Sequence, residues 1–154
     1  ADDAEYCSWE FVKCDSRCQN IILRGFKEHG DSTNERTIIL DTETKLQTLI
    51  DDSSDQRLKT KVYGYMHKNM IFDETGRYLA VSISAKDSSY YKDDKFAWDA
   101  PFEGYIRIFD TVLRKEIYCN YDTEEEFYWI NAMKWSDDEL YVIANSGLYS
   151  MKMP

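Results

Sequence analysis

The chain has 154 residues, is 43% apolar and 15% aromatic with 12 Tyr and 4 Trp, and carries a net charge of −10. That apolar share excludes a disordered acidic tail and supports a single domain with its own core. The charge repels nucleic acid and anionic lipid and favours basic partners, although acidity also serves solubility alone; no apolar run approaches the ~20 residues of a membrane helix.

In chain order the segments read as short strands between turn signals. Ile21–Phe26 is apolar and β-branched and is broken by Glu28–Ser32. Thr37–Leu40 and Leu46–Ile50 flank Asp41-Thr42-Glu43-Thr44, which predicts a hairpin, and Asp51–Asp55 follows as a solvated loop. Val62–Phe72 is a longer aromatic strand closed by Asp73-Glu74-Thr75-Gly76. In Arg77–Ser84 the alternation puts Leu79, Val81 and Ile83 on the face expected to be buried, and Tyr78, Ala80, Ser82 and Ser84 on the other. Gly104–Phe109, Glu116–Cys119, Trp129–Trp135, Leu140–Ala144 and Leu148–Met153 complete the strands. Tyr6–Val12 and Gln56–Tyr63 admit a helix, but neither has a full apolar stripe.

An internal repeat runs through these segments. Ile38-Ile39-Leu40-Asp41-Thr42 resembles Arg107-Ile108-Phe109-Asp110-Thr111, and Phe72–Val81 resembles Trp135–Val142 with a shorter turn. Strand, Asp-turn, strand, then a strand ending in Asp-Thr is the grammar of a propeller blade. One four-strand blade fits 67–121, a second 7–50, and a third from 129 lacks its outer strand. Three incomplete blades cannot close a ring, so the expected fold is all-β, an open, incomplete propeller-like stack of about three small antiparallel sheets in a single domain.

Four cysteines, Cys7, Cys14, Cys18 and Cys119, are an even number, as an oxidising compartment favours. Zinc competes because Cys14 and Cys18 are four apart, but no second close pair follows and His29 and His67 are distant, so disulfides are preferred and no metal is expected. Of three pairings, Cys14–Cys18 with Cys7–Cys119 is the slight preference. The start Ala1-Asp2-Asp3-Ala4, without Met or an apolar leader, is what signal-peptide cleavage leaves and predicts a mature exported chain, though a trimmed chain would begin alike.

The repeat breaks at residues 85–103, where the third blade has only Asn145-Ser146-Gly147. So long a connection is usually functional or disordered, and its two Tyr, two Phe and one Trp speak against disorder. Aromatics mixed with small hydroxyl side chains compose binding loops, so Lys86, Asp87, Ser88, Ser89, Tyr90, Tyr91, Asp93 and Trp98 are the candidate partner-binding residues. The competing reading for its second half is that Phe96, Trp98 and Phe102 fold back over a sheet edge. Enzyme readings have little to stand on. Gly-x-Ser-x-Gly, His-Glu-x-x-His and phosphate-binding glycine loops are absent, and among 29 acids adjacent carboxylates such as Asp93-Asp94 and Asp137-Asp138 arise by chance. No catalytic residue and no cofactor is expected.

With its blade-like repeats and the segment Lys86-Asp87-Ser88-Ser89-Tyr90-Tyr91, the acidic chain resembles the periplasmic immunity proteins of type VI secretion peptidoglycan amidases. The resemblance implies a periplasmic inhibitor that binds a small basic Cys-His amidase one to one. The 85–103 loop would occlude the amidase active site, sparing producer and sibling cells from cell-wall degradation. It implies further that Ser88 and Ser89 enter the substrate groove and that a hydroxyl hydrogen-bonds the amidase's catalytic His. A glycan- or peptidoglycan-binding module with Tyr90, Tyr91 and Trp98 as its platform is the alternative.

Overall fold

The structure, a computed structural model, describes residues 8–26, 35–52, 62–87, 91–92, 95–96, 102–120, 127–145 and 147–154. The strands β1 (Ser8–Cys14), β2 (Asn20–Phe26), β3 (Glu35–Asp41) and β4 (Gln47–Asp52) form a first antiparallel sheet in chain order. β5 (Val62–Phe72), β6 (Tyr78–Asp87), β9 (Phe102–Asp110) and β10 (Lys115–Cys119) form a second. Between β6 and β9 lies a separate two-stranded ribbon, β7 (Tyr91–Lys92) with β8 (Lys95–Phe96). A third sheet contains β11 (Ile130–Ser136), β12 (Glu139–Ala144) and β13 (Gly147–Lys152). The fold is therefore the expected all-β stack of three small antiparallel sheets, none closed into a barrel, with three strands in the last. The described part of the segment that admitted an N-terminal helix, Ser8–Val12, is strand; of Gln56–Tyr63, residues 62–63 are strand and the rest lies outside the described residues.

The second sheet is the middle layer. Leu79, Val81, Ile83 and Phe109 pack with Ile22, Ile39 and Ile50 of the first sheet. Tyr78, Ala80, Ile106 and Ile108 pack on the opposite side with Ile130, Trp135, Leu140 and Val142 of the third. Both faces of β6 are thus buried, which corrects the one-sided burial expected from its alternation. Ser82 and Ser84, which look like solvent-facing polar residues, are 2% and 1% exposed. Ser84 Oγ accepts a hydrogen bond from the Ile130 amide (3.0 Å), so a hydroxyl on this face serves the junction between sheets.

The sequence repeat is a repeat of hydrogen bonding. Asp15 Oδ1 accepts from the amides of Arg17 and Gln19, and its Oδ2 from the amide and Nδ2 of Asn20. Asp73 accepts from the Tyr78 amide (2.8 Å) and the Thr75 hydroxyl (2.5 Å) in the equivalent turn of the second sheet. Asp41 and Asp110 each accept two amides of the turn that follows, from Glu43 and Thr44 and from Val112 and Leu113. The Thr after each then ties this turn to the first kind: the Thr42 amide donates to the Gln19 carbonyl and the Thr111 amide to the Arg77 carbonyl, both at 2.8 Å. These turns gather at one end of the stack. The connections from β2 to β3 and from β6 to β9 leave from the other.

Candidate functional site

The site indicated by the break in the repeat grows from the non-turn end of the middle sheet. β6 and β9 pair without interruption from Tyr78 opposite Asp110 to Lys86 opposite Phe102. Lys86 and Asp87 are accordingly the last residues of a strand, and Asp87 also lies opposite Val62 of β5. Beyond them the chain re-forms a ribbon, with Tyr91 opposite Phe96 and Lys92 opposite Lys95. Only Asp93 and Asp94 join the two strands in sequence. The long connection thus contains antiparallel structure of its own, which two-residue strands are too short to announce through any periodicity.

The base of this protrusion is held from several directions. The Gly104 amide donates to the Phe127 carbonyl at 2.6 Å. Asn120, itself buried, accepts from the Ile106 amide at 2.7 Å and donates through Nδ2 to the Gly104 carbonyl at 3.3 Å. A side chain at Gly104 would press to 3.1 Å of Ile130 and Phe127, so glycine permits the third sheet to approach the root of β9. Tyr105 donates its hydroxyl to Glu103 beside this root. The strands at the two ends of the connection are thus packed, with their polar groups at this point satisfied.

Of the residues singled out for partner binding, the structure brings Lys86, Asp87 and Tyr91 into strand positions at the base and in the ribbon. Ser88, Ser89, Tyr90, Asp93 and Trp98 lie outside the described residues. Among the cysteines, Cys14 Sγ and Cys18 Sγ are 2.7 Å apart, and Cys119 is buried in β10. Cys7, and with it the Cys7–Cys119 pairing, lies outside the described residues. The hydrogen bond shared with Cys18, then desolvation, hold the Cys14 thiol above its ordinary pKa. Among the described residues no group of three or more His, Cys, Asp or Glu could hold a metal ion.

Two features escaped sequence reasoning. Where the repeated turns of the first and second sheets meet, they enclose a groove of about 500 Å³ whose lining includes Gln19, Asp41, Thr75, Arg77 and Arg114. Arg77 is held to Asp110 of its own sheet, with Nε and Nη2 donating to Oδ2 at 3.2 and 3.0 Å, and this bonding raises the arginine's pKa. The second feature is charge that is largely shielded from solvent, within the second sheet and between it and the first. Arg107 is nearly buried, donates to Glu116 at 2.5 Å and sits 4.9 Å from the Phe109 ring centre. Lys68 reaches from the second sheet to Asp51 of the first (3.4 Å), while burial lowers its pKa against that ion pair. The repeated Asp-Thr dipeptides were the signal for the groove. No signal marked the ion pairs, because sequence alone does not show which charges strand register and stacking bring together.

The chain is therefore an open stack of propeller-like sheets with a two-stranded ribbon in the connection between β6 and β9 of its middle layer. No family model, no curated protein and no solved structure matches it.

Proposed function

We propose that the protein is an immunity protein: a stoichiometric inhibitor that binds a small, basic Cys-His peptidoglycan amidase in the periplasm and lodges the segment after β6 in its active-site cleft. The supporting observation is the β7–β8 ribbon, formed in the connection between two central strands whose ends are held by Gly104, Asn120 and Ser84. An inhibitor that plugs a cleft needs its inserting segment pre-shaped, because ordering a loose one on binding costs affinity. Ser88 and Ser89 stand just before this ribbon in sequence, separated from it by Tyr90. A serine hydroxyl both donates and accepts, so it satisfies either tautomer of a desolvated catalytic imidazole and occupies the position that base chemistry needs open. Tyr90 and Tyr91 flank the pair and supply aromatic area that keeps water from it. The net charge of −10 complements a basic enzyme.

Equimolar mixing with the amidase, read by cleavage of peptidoglycan peptide crosslinks, tests this reading. The expected result is a 1:1 complex on gel filtration and abolished turnover. Replacing both serines, Ser88→Ala with Ser89→Ala, is expected to weaken inhibition about tenfold to a hundredfold, as hydrogen bonds to charged or buried groups imply. Binding to isolated sacculi with no protein partner would favour a glycan-binding module instead.

A further inference from the structure

The Asp15 and Asp73 turns are equivalent, which aligns Cys14 with Phe72 and Cys18 with Gly76. The left-handed position that Gly76 fills at φ 75 is occupied in the first turn by Cys18 at φ 52. Residues other than glycine seldom enter this region, and nothing in the turn's own hydrogen bonding requires a cysteine there. With this backbone the two sulfurs are 2.7 Å apart, closer than unbonded sulfurs pack and short of a bond of about 2.05 Å. Cys18 is exposed and Cys14 lines a groove of about 390 Å³ beside Lys134 and Trp135, so an oxidant can reach the pair.

We propose that Cys14 and Cys18 form a disulfide that clasps the β1–β2 turn. Both S–H bonds break, one Sγ–Sγ bond forms, and the two protons and two electrons pass to a disulfide oxidant, whose own S–S bond breaks to give two thiols. The ring closes around Asp15, whose turn is fastened to the middle sheet by Asn20 Nδ2 donating to the Gly76 carbonyl (3.2 Å) and Ser16 Oγ donating to the Glu74 carbonyl (3.3 Å). Oxidation therefore stiffens the seam between the first two sheets. The clasp is independent of the inhibitor reading.

Trypsin offers a direct test, because Arg17 separates the two cysteines and Lys13 precedes them. The full chain is equilibrated with oxidised glutathione, blocked with N-ethylmaleimide in denaturant without reductant, and digested. Peptides 14–17 and 18–24 are expected to travel as one species, lighter than their sum by two hydrogens, with loss of maleimide from both. Maleimide on both cysteines after oxidation, or either joined to Cys7 or Cys119, overturns the proposal. A dithiol reductant is expected to lower the melting temperature more in the wild type than in Cys14→Ser/Cys18→Ser; equal drops overturn the stiffening role.

Discussion

Gly76 stands at φ 75 with Asp15 so close that a Cβ would collide with its Oδ2. Gly76→Ala is therefore expected to cost about 1–3 kcal/mol in urea denaturation, because it strains the turn and pushes on the carboxylate that orders its neighbour. The Asp73 turn was legible from Asp-x-Thr-Gly. Its twin at Asp15 was not, since cysteine replaces the glycine that marks such turns. Protonation gives a second test at this scale. The Thr44 and Glu43 amides hold Asp41 below the ordinary carboxylate range, and the Ser150 and Tyr141 hydroxyls do the same for Glu139. For groups whose folded pKa is depressed, the added stability is complete above the unfolded values near ~4 and is lost as pH falls through the lower folded ones. The urea midpoint is expected to fall between about pH 5 and pH 2, and Asp41→Asn with Glu139→Gln to flatten part of that fall. An unchanged slope would contradict the assignment.

Among the elements, β6 carries the most structural weight. Leu79 is fully buried against the first sheet, and Leu79→Ala is expected to cost about 2–5 kcal/mol. Leu148 on β13 is 69% exposed, and Leu148→Ala should change stability by less than about 0.5 kcal/mol. Thermal or urea unfolding of the two variants separates them. The strands themselves were readable because β-branched and aromatic runs alternate with Asp, Ser and Gly turns. What periodicity could not reveal is that β6 lies between two layers. Tyr78, Ala80, Ser82 and Ser84 are small or carry a polar group, so they pass for a wet face, and only the third sheet's arrival buries them. The β7–β8 ribbon was hidden for a different reason. Two paired residues on each side make no pattern that a sequence can show.

At the scale of the whole molecule, the blade repeat foretold three sheets and an unclosed stack, and hydrogen-bonded Asp turns of the same form recur at the same places in the first and second of them. Contacts between layers, such as Lys68 with Asp51, come from the stacking itself and have no local signature. The acidic surface gives the complex a kinetic mark. Screening shortens from about 10 Å at 0.1 M salt to about 3 Å at 1 M, so association with a basic amidase is expected to slow about tenfold or more over that range. A rate independent of salt would remove charge from the recognition. The most direct test of the central claim replaces residues 88–101 by a short Gly linker, leaving β6 and β9 whole. Circular dichroism confirms the fold, and amidase activity is then measured at equal molarity. Full activity in the presence of the trimmed protein, against abolished activity with the intact one, is the predicted result. Equal inhibition by both would show that the protrusion is not what blocks the enzyme.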